Sequence, residues 1–219
     1  MSSRIKIFDA HPTDVITAPM PLDQALQWVS PHEQSVARRV EIFFMQSAYL
    51  KCVAHAASNL AREVGGVLIG ETRADPERAL PYIVIQDMLP ARWVKHSSTH
   101  LTFTQDTLVE LNTILEDDFP GKRMVGWFHT HPRLGIFLSS YDTWLHTYFF
   151  NDPLQVALVI DPHWERGGFF VWQDGLQLDP AQYVGFFELG DYAESSVVQW
   201  TNLTPLVSAA PDESKGARQ

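Results

Sequence analysis

The stretch GWFHTHPRLGIFLSSYD, residues 126–142, decides how this chain is read. It runs from an apolar segment through two histidines and a proline to a pair of serines and an aspartate. Side chains of a strand alternate between faces, so His129 and His131, two apart, leave the same face near a strand end, and Thr130 points the other way. Pro132 stops the ladder and forces a turn. Two imidazoles on one face can share a cation. A zinc that performs hydrolysis needs a third protein ligand and an open position for water. Asp142, in the first turn of the helix that follows, can be folded back to serve. The same letters also read as a plain helix start, with Ser139 as N-cap and Asp142 three residues on as a capping box.

Outward from this stretch the elements alternate. Strands are expected at VEIFF (40–44), VGGVLIG (64–70), PYIVIQDML (81–89), HLTFTQ (100–105), RMVGWFHTH (123–131), LQVALVIDP (154–162), GGFFVWQ (167–173) and YVGFFEL (183–189). Residues 46–62 carry Leu50, Val53, Ala54, Ala57 and Leu60 at helical spacing, residues 106–117 turn Leu108, Leu111, Ile114 and Leu115 inward, and a third helix spans 140–151. This predicts an α/β domain with a mixed sheet between helices. Residues 1–36, with four prolines and one short amphipathic piece, PLDQALQWV, read as an N-terminal arm. The domain then covers 37–190, and 191–219 form an extension expected to be largely disordered.

Composition narrows the function. The chain has 219 residues, 16 basic and 26 acidic, a formal net charge of −10, and no Lys/Arg cluster. Nucleic-acid binding is therefore not expected. The start, MSSRIKIFDAHPTD, lacks the apolar core of a signal peptide, and no apolar run reaches membrane-spanning length. A single cysteine, Cys52, read as a small buried helix residue, suits a reducing compartment; the expected address is the cytoplasm.

Hydrolysis at such a site also needs a general base, and a carboxylate held a hydrogen bond from the water can be one. Glu63, opening the glycine-rich strand, is the preferred candidate. Glu71 is the rival, but GETRADPE reads as an exposed loop past the strand end.

These residues carry a resemblance. HTHPRLGIFLSSYD matches the His-x-His, seven residues, Ser, two residues, Asp pattern of the JAMM (MPN+) metalloenzymes, and EVGGVLIG resembles their Glu-x-x-Gly-x-Leu-x-Gly strand. VALVIDP is similar to the strand after their motif helix, and the order agrees over about residues 40–189. Ile136 and Phe137 stand where the proteasome-lid and signalosome members often have Cys and Trp. The resemblance implies a single MPN domain of cytidine-deaminase-like fold, with one zinc per chain on His129, His131 and Asp142. Glu63 would move a proton from the water to the leaving amine, and Ser139 would hydrogen-bond the oxygen of the tetrahedral intermediate.

The implied activity is an isopeptidase or peptidase, deubiquitinase-like, cutting after the C-terminal glycine of a ubiquitin-like protein. Trimming of a ubiquitin-like or sulfur-carrier precursor, and a non-catalytic MPN-type scaffold, are the alternatives. A protein partner or a homodimer would fit the family's habits. The substrate tail could lie as an added strand, with Gly65, Gly66 and Gly135 leaving it room. Two insertions, 89–103 with Trp93, His96 and His100, and 163–175, would flank the groove. His146, one turn past Asp142, reads as an ordinary helix residue with a possible outer role behind the metal, and His163 as a loop residue.

Overall fold

The computed structural model describes residues 15–91 and 105–206. Ten strands and three α-helices are found among them: β1 Ile16–Thr17, β2 Ala25–Val29, β3 Glu41–Met45, α1 Gln46–Ala57, β4 Gly65–Ala74, β5 Pro81–Pro90, α2 Gln105–Asp118, β6 Arg123–Thr130, α3 Ser140–Phe149, β7 Val156–Asp161, β8 Arg166–Val171, β9 Phe186–Leu189 and β10 Thr204–Leu206. The strands form one mixed sheet in the order β10-β2-β9-β3-β5-β4-β6-β7-β8, with β1 paired to β4. The β3–β5, β3–β9 and β6–β7 pairs are parallel, while β4–β5, β4–β6 and β7–β8 are antiparallel.

Alternation sorts the core into two faces. Ile42, Phe44, Leu68, Ile83, Ile85 and Phe128 pack with Ala48, Tyr49, Cys52 and Ala56 of α1. Val67, Ile69, Trp127 and Val159 pack on the other face with Leu111 and Leu115 of α2 and Leu145 of α3. The sheet between helices is the architecture expected. No helix among the described residues is long and apolar enough to cross a membrane.

Several local expectations change. α1 ends at Ala57, not residue 62, because the Asn59 carboxamide oxygen takes the N–H groups of Ala61 and Arg62 and bends the chain away. The inward stripe is Ala48, Tyr49, Cys52 and Ala56; Ala54 and Ala57 are exposed and Leu60 is 47% exposed. Of the strand expected at 100–105, only Gln105 is described, and it begins α2. Trp93, His96, His100 and Leu108's side chain lie outside the described residues, as do residues 1–14 and 207–219.

The sheet also crosses both boundaries drawn from sequence. β2, from the proposed arm, pairs with β9, and β10 pairs with β2. Trp200 and Leu203, from the extension, are buried in the core. Glu188 ties these segments together: buried in β9, it accepts bonds from Trp28 Nε1, Gln46 Nε2, Ser196 Oγ and Val197 N. A buried carboxylate survives only when so satisfied.

Candidate metal centre

β6 runs with Trp127 and His129 on the α2/α3 face, and the chain continues to His131 one residue past the strand end. His131 is fixed by its own N–H, which donates to Ile160 O at 2.8 Å. The loop then returns at Ser139, whose hydroxyl caps α3. Asp142 N donates to Ser139 Oγ at 3.2 Å, and Ser139 N donates to Asp142 Oδ2 at 2.7 Å. The capping box is therefore present, and it does not compete with the metal reading, because it is what aims the Asp142 carboxylate at the histidines.

The His129 and His131 Nε2 atoms lie 2.9 Å apart. Asp142 Oδ2 lies 3.4 Å from the first and 3.7 Å from the second. All three residues are buried. A tetrahedral ion with bonds of about 2.0–2.2 Å spaces its ligands roughly 3.3–3.6 Å apart, and the observed separations bracket that value. Three donors converging in a buried place can share one cation, and the donor set fits a borderline metal such as zinc. Burial alone would raise the Asp142 carboxyl. Its electrostatic and hydrogen-bonding contacts with His129, His131 and Ser139 outweigh it, holding that carboxyl well below the usual carboxylate range. A metal arriving at neutral pH displaces no proton from it.

Glu63 reaches the same place by register. Gly65 pairs with His129 across β4–β6, and Thr130 N continues the ladder by donating to Val64 O at 2.9 Å. Glu63 is thereby opposite His131 and on its face, since antiparallel partners share a face. Its Oε1 lies 4.0 Å from His131 Nε2, and its side chain is mostly buried. Glu71 is not in a loop: it lies within β4, eight residues or about 26 Å along the strand from Glu63. Lys122 and Arg73 hold it there; they overcome the upward push of burial and keep its carboxyl low. It cannot serve this site.

Three further residues support the cluster and were not singled out for it by spacing. Thr130, facing away from the histidines, accepts from Val64 N at 2.9 Å and so fastens the residue next to Glu63. Thr130→Val should lower the unfolding free energy by about 1 kcal/mol, the worth of a hydrogen bond to a part-buried N–H. An unchanged denaturant midpoint would show that Val64 N has another acceptor. Trp127 stacks on His129 with centroids 4.7 Å apart and donates to His146 Nδ1 at 3.0 Å. Burial pushes His146 down to about 3, so it is a neutral acceptor behind Trp127. Asp161 holds the loop from behind. The signal for it in sequence is a carboxylate closing the apolar run VALVI.

Gly66 leaves no room for a substrate tail, because a Cβ there would meet Leu89 O at 2.1 Å. It is a close-packing glycine between strands. His163 bonds Leu60 O through its ring at 2.9 Å, consistent with a loop residue.

The profile of the JAB1/Mov34/MPN/PAD-1 ubiquitin protease family matches residues 40–152, just over half of the chain. The chain belongs to this family. The matched part of this JAMM/MPN protein runs from the end before β3 through α3 and includes Glu63, His129, His131, Ser139 and Asp142. The chain is 33% identical over 120 residues to COP9 signalosome complex subunit 5 of Oryza sativa subsp. japonica, covering 52% of this chain and 31% of that protein. It is 42% identical over 65 residues to STAM-binding protein of Rattus norvegicus, covering 29% and 15%. NAD(+) hydrolase TcpA of a Theionarchaea archaeon is 34% identical over 79 residues, covering 36% and 24%. The chain thus spans a third or less of the length of these curated relatives. The solution structure of DSY2949 from Desulfitobacterium hafniense superimposes with a TM-score of 0.51 at 19% identity, covering 69% of this chain and 94% of that one, a likeness of fold.

Proposed function

We propose that this JAMM/MPN protein is a zinc-dependent isopeptidase or peptidase that cuts after the C-terminal glycine of a ubiquitin-like protein. One observation carries the reading: His129 Nε2, His131 Nε2 and Asp142 Oδ2 lie within reach of a single ion, with Glu63 4.0 Å from His131. Zinc bound there supplies Lewis acidity toward the scissile carbonyl and makes hydroxide available near pH 7.

The chain's own groups do the rest. Glu63 is placed to take the proton of the attacking water and to return it to the leaving amine. The bond from Asp142 N uses a lone pair of Ser139 Oγ, and the hydroxyl proton would turn to donate to the developing oxyanion. The capping box fixes both the ligand Asp142 and the donor Ser139 by one local motif, so the two cannot drift apart.

The test is incubation of the zinc-loaded protein with ubiquitin-like proteins ending in Gly-Gly, joined either to a C-terminal extension or to a lysine side chain. Cleavage after the last glycine should be abolished by a chelator and restored by zinc. A zinc-loaded protein that leaves every such conjugate intact would remove the substrate assignment. Zinc-binding protein with no hydrolysis of any amide would favour a scaffold.

A further inference from the structure

We propose that Asp161 is a positioning residue for the metal centre, setting the ring of His131 through the backbone of Gly135. It closes β7 and is wholly buried. Its Oδ2 accepts from Gly135 N at 3.0 Å, and its Oδ1 accepts from Arg133 N at 3.2 Å, His163 N at 3.0 Å and Trp164 N at 3.4 Å. Two of these N–H groups belong to the loop after His131 and two to the turn before β8. One carboxylate therefore fastens the loop that follows a metal-facing histidine to the neighbouring hairpin.

The link to the metal-facing side chain is one bond further. Gly135 O lies 3.3 Å from His131 Nδ1, where it accepts the ring N–H. That bond fixes the tautomer and leaves the Nε2 lone pair facing His129 and Asp142. Metal-binding histidines gain orientation and basicity from such a partner. Here the partner carbonyl belongs to a residue whose own N–H is held by Asp161.

The loop needs this help. Arg133 has φ +64° and Gly135 φ +87°, both in the left-handed region, which costs a non-glycine residue about 1–2 kcal/mol. Arg133 holds this conformation while its N–H points at Asp161. Charge-assisted bonds from four backbone donors satisfy the buried carboxylate and over-determine the turn. A carboxylate that served only to end a strand would not need to bind both segments.

The inference rests on the metal reading above, and the test separates the two. Asp161→Asn keeps the size of the side chain, but its amide nitrogen cannot accept, so one set of backbone donors loses its partner. Zinc affinity of the folded variant, measured by competition with a chromogenic chelator, should weaken about 10- to 100-fold. A merely structural Asp161 would lower the melting temperature and leave zinc affinity unchanged, and that result overturns the inference. A wild-type protein that binds no zinc would instead overturn the metal reading itself. If the variant does not fold, hydrogen exchange in the metal-free wild type decides. Gly135 and Arg133 amides should be protected well beyond exposed loop amides, and exchange at unprotected rates would overturn the proposal.

Discussion

Replacing Glu63 with glutamine should leave zinc bound and lower turnover by about 10²- to 10⁴-fold, the usual worth of a positioned general base. The two side chains have nearly the same shape, and the position is set by backbone: Val64 is held to Thr130 by a ladder bond and by the Thr130 hydroxyl. The substitution therefore changes what the group can do with a proton and not where it stands. Glutamine cannot take the proton of the attacking water. Zinc content should stay near one per chain, because Glu63 is outside the cluster of three converging donors. The variant should also retain an uncut substrate, which a pull-down would reveal. Full turnover in Glu63→Gln would strip Glu63 of the role, and Glu71 could not inherit it from its ion pairs with Arg73 and Lys122.

The parts of this site that were legible in sequence are those governed by short-range geometry. Alternation along β6 put His129 and His131 on one face, and helix-start chemistry put Ser139 and Asp142 in the first turn of α3. The rest depended on pairing between distant segments. Glu63 meets His131 because β4 and β6 pair in one register, which no local pattern specifies. The strand at Ala25–Val29 finds its partners in β9 and β10, more than 150 residues on, so PLDQALQWV carried no sign of its place. Trp200 and Leu203 lie in the mixed stretch VVQWTNLTPLV, which has no regular helix or strand period, so their burial is revealed only by what they meet. On α1 the helix and buried Cys52 were legible, and Leu50 and Val53 do pack against the core, but the centre of the inward face was misplaced. Small Ala48, Cys52 and Ala56 turn to the sheet where close approach is needed, with Tyr49 between them, and larger Leu50 sits at the margin.

His129→Ala should remove stoichiometric zinc and reduce turnover to background. The His129 ring is fully buried against Trp127 and supplies the Nε2 that is closest to both other donors. Without it, His131 and Asp142 remain as two ligands, fewer than the three that hold a catalytic zinc. Loss of activity alone would prove little, since deleting a buried ring also destabilises the fold. The discriminating measurement is the response of stability to metal. Zinc at about 100 times its dissociation constant should stabilise the wild type by about 2.7 kcal/mol. In a chain of this size that raises the melting temperature by about 5–10 °C. The same zinc should leave the melting temperature of His129→Ala unmoved, whatever its starting value. An equal rise in the variant would mean that the ion binds elsewhere, and the convergence of His129, His131 and Asp142 would then need another explanation than metal.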